Sequence, residues 1–153
     1  MNLSQHIKLT IPLAVICYLI TGSWKSFLGL FIGGILIDVD HLLEFWHDHG
    51  FNLRIRDFFQ AADKGRQTRH YIVFHSYELA LALMVAAYFG IYPSFFWAIA
   101  TGILFHILLD YVNIIGRLRY KWYSFILFFF VFRAVFLFQR DKIDKVIRHS
   151  VET

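Results

Sequence analysis

A short stretch, Gly33–His41, constrains this chain most because it places charged groups inside an apolar region. Residues 26–37 carry no charged side chain, and the sequence then supplies Asp38, Asp40 and His41 within four positions. Carboxylates in so apolar a segment are costly unless something neutralises them. The stretch therefore predicts a site at which these groups meet a compensating partner, and a metal ion is the simplest such partner.

The composition points to the lipid bilayer. Hydrophobic residues make up 58% of the 153 residues, whereas a soluble domain contains about 45–50%. The net charge of +4 then reflects membrane topology more than binding to nucleic acid, which we do not expect as a partner. The single cysteine, Cys17, excludes a disulfide framework and a thiolate metal cage.

Four apolar runs predict an all-α fold, an integral membrane bundle of four membrane-embedded helices. They cover residues 9–24, 25–46, 70–90 and 94–115. The shortest is close to the lower limit of about 17 residues for a spanning helix. We expect a single membrane-embedded domain over residues 1–153, with a helical core at 1–116 and a C-terminal hydrophobic segment and basic tail at 117–153.

Two further segments complete the predicted architecture. Residues 50–69 contain five basic side chains, and their apolar positions recur on one helical face, which predicts an interfacial helix on the membrane surface. Residues 122–138 form a fifth apolar run interrupted by Arg133. This run is either a fifth helix or a re-entrant segment, and the re-entrant form, which we favour, would let Arg133 reach water.

The basic residues set the predicted topology, because they accumulate on the cytoplasmic side of membrane proteins. The 50–69 loop and the 117–121 turn are basic, whereas residues 91–94 carry no charge. The N-terminus and both basic segments are therefore predicted to be cytoplasmic. Nine acidic or histidine side chains then share one depth near the cytoplasmic leaflet, and all nine are candidate metal ligands: His6, Asp38, Asp40, His41, His70, His75, Glu78, His106 and Asp110.

The spacing of these residues supports a common site. The pair His106 and Asp110 is spaced i, i+4, so both side chains lie on one helix face. Asp38 and His41, like His75 and Glu78, are spaced i, i+3. On an ideal helix Asp40 points about 200° away from Asp38. Either the helix unwinds at this point, or Asp40 serves a second metal ion. Gly33 and Gly34 would let another helix approach closely.

The donor set predicts the class of metal. The four carboxylates sum to −4, which two divalent cations would cancel, and the histidines complete a mixed nitrogen and oxygen set. Such a set suits zinc, manganese or iron better than copper(I) or calcium. We therefore expect one to three divalent transition-metal ions, with zinc the first choice.

Three motifs resemble those of the bacterial family of membrane-bound metal-dependent hydrolases, which is distantly similar to zinc-dependent phospholipase C. They are Asp-Val-Asp-His at 38–41, His70 with His75-Ser76, and the Gly102-x-x-x-His106-x-x-x-Asp110 run. The resemblance extends from His6 to about Asn113 and implies a helical bundle with hydrolase chemistry. The chain departs from the family pattern at Ile37, where proline is usual, and at Tyr71, where arginine is usual, with Arg69 standing before His70.

The sequence thus predicts a multi-pass, metal-dependent hydrolase of the bacterial inner membrane. Its substrate would be an ester or phosphoester, most plausibly of a lipid, attacked by a metal-activated water. Glu78 and Asp40 are the candidate catalytic acids or bases, and Arg69 is a candidate for binding substrate phosphate. Two alternatives remain, a metal-stabilised scaffold without activity and a transporter of metal ions or protons. The substrate, the metal, the oligomeric state and the membrane placement of residues 122–138 stay open.

Overall fold

The computed structural model describes residues 3–51, 73–118 and 122–136, together with positions 139, 142, 143 and 145. The elements in these ranges are helical: α1 (Leu3–Thr21), α2 (Trp24–Ile35), a 3-10 helix (Leu36–Val39), α3 (Asp40–His49), α4 (Tyr77–Tyr88), α5 (Pro93–Leu118), a second 3-10 helix (Trp122–Phe128) and α6 (Phe130–Val135). The predicted all-α class is confirmed. The predicted interfacial helix at 50–69 lies outside the described residues except for its first two positions.

Helix α2 packs against α5 through glycines, which bring the two backbones close together. A methyl group on Gly33 would collide with the carbonyl oxygen of Ile99, and one on Gly102 would lie 2.8 Å from the carbonyl oxygen of Leu30. Gly34 plays the same part towards α1, where the side chain of Thr10 fills the space beside it. The predicted close helix approach at Gly33 and Gly34 is confirmed.

Gly33→Ala is expected to destabilise the protein by about 1–3 kcal/mol, the usual effect of overpacking a tight contact. The added methyl group meets backbone atoms of α5, which cannot rotate away as a side chain can. Unfolding in detergent would measure the change. Thr101→Ala is the control, since Thr101 is exposed and its hydroxyl donates only to Trp97 O of its own helix, 2.8 Å away. Equal stability of the two variants would contradict the prediction.

The hydrophobic core joins the C-terminal segment to the helical bundle. Phe128 is 3% exposed and lies in one buried cluster with residues of the first 3-10 helix, α4 and α5. The other buried members of that cluster are Ile37, Ala80, Ala100, Ile103 and Ile107. Ile37 and Ile107 each adjoin a candidate metal ligand in sequence, so the same packing also positions the site.

Three predicted helices differ from those observed. The second run is broken by the Leu36–Val39 3-10 helix. In the third run α4 begins only at Tyr77, because Ser76 is extended and its hydroxyl caps the helix by accepting from Leu79 N–H at 3.3 Å. The fifth run does not form one continuous helix within 122–136, since a 3-10 helix and the short α6 share it.

One helix in the described part of the chain is long and apolar enough to cross a membrane, namely Pro93–Asn113 within α5. Two other apolar helices, Gln5–Thr21 and Tyr77–Tyr88, are shorter than 18 residues. Of the four helices predicted to lie in the membrane, one therefore has the length of a membrane span.

Candidate metal centre

Two groups of histidine and aspartate side chains could each hold a metal ion. Within each group the ligand atoms lie within 4.8 Å of one another. The first group comprises His6, His106 and Asp110, and the second comprises Asp38, His41 and His75. Their side chains come from helices α1, α3 and α5, from the first 3-10 helix and from the segment before α4. Six of the nine predicted ligands are thus brought together in two clusters.

The two groups meet at the imidazoles of His75 and His106. Their Nε2 atoms are 3.0 Å apart, and Asp38 Oδ1 lies 3.3 Å from each of them. Asp110 Oδ2 lies 3.4 Å from His106 Nε2. Donors bound tetrahedrally to zinc at 2.0–2.1 Å are about 3.3 Å apart. The observed separations therefore match those of ligands around one small ion.

In both imidazoles, the hydrogen bond made by Nδ1 determines the direction in which the lone pair of Nε2 points. His106 Nδ1 lies 2.9 Å from the carbonyl oxygen of Gly34, which can only accept, so this nitrogen carries the proton. His75 Nδ1 lies 3.2 Å from Asp40 Oδ2 and donates to it in the same way. In neutral rings both Nε2 atoms then present lone pairs to each other and to the Asp38 carboxylate. Without a shared cation or an added proton, these three acceptors would repel one another.

Ion pairs offer the alternative to a metal. The histidines and aspartates of the two groups contact one another directly, and each contact becomes an ion pair when the histidine is protonated. A metal-free protein can therefore hold the cluster together with added protons. Metal ions and protons compete for the same lone pairs, since histidine binds metal in its neutral form.

Asp40 holds His75 from outside the two groups. It is fully buried, and its Oδ2 accepts from the backbone N–H of Phe74 as well as facing His75 Nδ1. Its Oδ1 is buried with no hydrogen-bond partner among the described residues. A carboxylate behind a metal-binding histidine fixes the tautomer and orientation of the ring. The contacts of Asp40 fit this orienting role, and its roles as ligand and catalytic group stay predictions.

The 3-10 helix at Leu36–Val39 explains how two alternate aspartates reach one histidine. Asp38 approaches Nε2 of His75 at 3.3 Å, whereas Asp40 approaches Nδ1 at 3.2 Å. A continuous helix would point these carboxylates to opposite sides. The regular α-helix is thus interrupted at this point, although by a more tightly wound 3-10 helix and not by unwinding.

His6 joins α1 to the site. It is fully buried, and its ring stacks on that of His106 with centroids 3.7 Å apart and planes 6° from parallel. His6 Nε2 lies 3.0 Å from Asp110 Oδ1, while His6 Nδ1 is buried with no hydrogen-bond partner in the described part of the chain. A buried ring nitrogen without a partner fits a site to which a cation is still to be added.

The cluster is accessible on the side of Asp38 and His41. The side chain of His41 is 34% exposed and that of Asp38 is 17% exposed, whereas His6 and His106 are fully buried. His41 Nε2 lies 3.8 Å from Asp38 Oδ1, too far for a direct hydrogen bond. The ligand set is therefore buried on the side of His6 and His106 and partly accessible on the side of Asp38 and His41.

Glu78 belongs to neither group. Its carboxylate accepts from the backbone N–H of Phe130 at 3.0 Å and of Val131 at 3.2 Å. The predicted shared helix face of His75 and Glu78 is wrong, because His75 precedes α4 and Glu78 lies in its first turn. Glu78 as ligand or base stays a prediction. His70 and Arg69 lie outside the described residues.

Three groups that were not predicted at the site support it, namely the carbonyl of Gly34, the hydroxyl of Thr10 and the guanidinium of Arg133. Gly34 contributes its carbonyl oxygen, which accepts from His106 Nδ1 and, at 3.3 Å, from the hydroxyl of Thr10. Arg133 Nη2 donates to the carbonyl oxygen of His75 at 3.2 Å. Arg133 is only 1% exposed, so the expectation that it reaches water is wrong. The sequence signal was present, since a charge in an apolar run requires a buried partner.

No family model, no curated protein and no solved structure matches this chain.

Proposed function

We propose that this protein is a membrane-embedded, metal-dependent hydrolase, as its resemblance to the membrane-bound metal-dependent hydrolases implies. The observation that carries the proposal is the convergence of two imidazole lone pairs and a carboxylate within 3.0–3.3 Å. The other nitrogen of each of these rings is fixed by a hydrogen bond, as in metal-binding histidines. His75, His106 and Asp38 would hold the ion, and Asp110, His6 and His41 are the further donors of the two groups.

The donor chemistry favours zinc, with manganese or iron as alternatives. Three carboxylates remain at the site once Glu78 is set aside, namely Asp38, Asp40 and Asp110, and they carry −3 when ionised. One or two divalent ions compensate that charge. When bound, such an ion lowers the pKa of water and polarises a phosphoryl or acyl oxygen, which suits hydrolysis of an ester or phosphoester.

The accessible side of the cluster supports an enzyme. Structural metal sites are closed by protein ligands, whereas catalytic sites keep a position open for water or substrate. The partial exposure of Asp38 and His41 supports an open position beside them. Asp38 contacts both imidazoles and is partly accessible, which suits a ligand beside an open position. Asp40 is fully buried and acts by fixing His75.

The apolar exterior supports a membrane location and a lipid substrate. Large hydrophobic side chains are widely exposed on three helices, including Leu19 and Ile20 at 74% and 78% on α1. Others are Leu81 on α4 and Leu108 and Val112 on α5. Acyl chains would cover such surfaces at little cost. We infer an inner-membrane protein with a cytoplasmic N-terminus, in which substrate reaches the site from the bilayer.

A metal-stabilised scaffold is the second candidate. It is favoured by the complete burial of His6 and His106 and by the direct ion pairs within the cluster. A scaffold would keep its metal and hydrolyse nothing.

Purified protein never exposed to chelator is expected to carry at least one transition-metal ion per chain by elemental analysis. It should also hydrolyse an ester or phosphoester bond of phospholipids presented in vesicles. Removal of the metal should abolish hydrolysis, and return of the metal should restore it. His47→Ala is the matched control, since this exposed histidine belongs to neither group. Metal well below one ion per chain would refute the proposal, and full metal without hydrolysis of any lipid would favour the scaffold.

A further inference from the structure

The C-terminal segment contributes a buried cation to the metal centre. Arg133 lies in α6, is 1% exposed, and donates from Nη2 to the main-chain oxygen of His75. Because its guanidinium is buried, Arg133 cannot meet a substrate that arrives from outside. Its contact with His75 is to the main chain, so it can influence the site through the position of that residue.

His75 depends on such contacts because it lies outside a helix. The segment of Val73 to His75 is bent, and α4 starts only at Tyr77. Helical hydrogen bonds therefore do not fix its main chain. Asp40 holds this segment on one side, through the Phe74 N–H and the His75 ring. Arg133 holds it on the other, through the carbonyl of His75.

The segment that carries Arg133 is itself fixed beside His75. Glu78 accepts from the N–H groups of Phe130 and Val131, which are the first two residues of α6. Glu78 also interacts electrostatically with Arg133. The ring of Tyr77 lies 4.9 Å from that of Phe129, centroid to centroid. Residues 77 and 78 thus hold the C-terminal segment in place. They follow His75, the residue that this segment restrains, by two and three positions.

We propose that Arg133 is a positioning residue for the metal centre, which it serves by holding the carbonyl of His75 from the C-terminal segment. The inference rests on the metal centre of the proposed function. It adds that α6, which carries Arg133, supports that centre. Glu78, in turn, acts by fixing the segment.

Binding of Co²⁺ to the full-length protein in detergent tests this role, because the visible spectrum of Co²⁺ reports ligand geometry. Arg133→Gln removes the charge and is expected to weaken Co²⁺ binding about 10- to 100-fold, the usual effect of losing a group that orients a ligand. It should also alter the spectrum. Arg133→Lys keeps a cationic donor and should restore affinity and spectrum towards those of the unmodified protein. Lys142→Gln removes an exposed charge outside α6 and should change neither.

Glu78→Gln provides a second variant if Arg133→Gln does not fold. It keeps the size of the side chain but weakens the hold on the segment, so a smaller loss of Co²⁺ affinity in the same direction is expected. A folded Arg133→Gln protein with unchanged Co²⁺ affinity and spectrum would overturn the inference. If Arg133→Gln cannot be obtained, a Glu78→Gln protein with unchanged Co²⁺ affinity would overturn it. Failure of the unmodified protein to bind Co²⁺ would overturn the metal centre and this inference together. If the unmodified protein binds Co²⁺ tightly but hydrolyses no lipid, only the proposed enzymatic activity would be overturned.

Discussion

His106→Ala is expected to abolish tight metal binding. The Nε2 atom of His106 lies within 3.4 Å of His75, Asp38 and Asp110, so its removal takes away the donor through which the first group contacts the second. The first group would keep only His6 and Asp110, and the second would lose the imidazole that faces His75 and Asp38. Metal content of the purified variant, measured by elemental analysis, should fall from at least one ion per chain to background, and any hydrolysis should disappear with it.

His47→Ala again supplies the matched control, because it removes a histidine of α3 that lies in neither group. It should keep the full metal content. The comparison separates loss of a specific ligand from a general loss of histidine. A His106→Ala protein that is folded and retains its metal would place the ion elsewhere in the molecule.

Asp110→Ala is expected to destabilise the metal-free protein by about 3 kcal/mol, because removal of one partner leaves a buried polar group uncompensated. The partner in question is His6, which is fully buried and 3.0 Å from Asp110 Oδ1. In metal-loaded protein the loss should be larger, since binding of the ion to the native state adds stability that the variant lacks.

Denaturant unfolding in detergent, with and without chelator, would measure both effects. Asp110→Asn serves as the comparison because it keeps an acceptor oxygen for His6 while lowering the negative charge at the site. It should lose less stability than Asp110→Ala in the metal-free protein. Equal unfolding free energies of all three proteins would contradict the observed pairing of His6 with Asp110.

Most residues of the site could be predicted because they are acidic or histidine side chains that lie within apolar runs of the sequence. The expectation for Asp38, His41, His106 and Asp110 required only that such groups compensate one another and that i, i+3 and i, i+4 neighbours share a helix face. The all-α class followed from the length of the apolar runs. His6 could be included because a common membrane depth was assumed.

The detailed roles were beyond the sequence because they depend on where helices stop. His75 resembles a helix residue until the Ser76 cap starts α4 after it. Glu78 is drawn to the backbone of Phe130, a contact between residues 52 positions apart that no local pattern reveals. The carbonyl of Gly34 is a backbone group, and its use by His106 leaves no trace in residue types.

The double use of the Gly34 carbonyl has a kinetic consequence. One oxygen of α2 accepts from Thr10 of α1 and from His106 of α5, so assembly of three helices already turns the His106 lone pair towards Asp38. The ring needs no reorientation when an ion arrives. Metal capture by the folded apoprotein should therefore be a single-step, second-order process. Its rate would be governed by dehydration of the ion and by passage beside His41, with no slow phase from the protein.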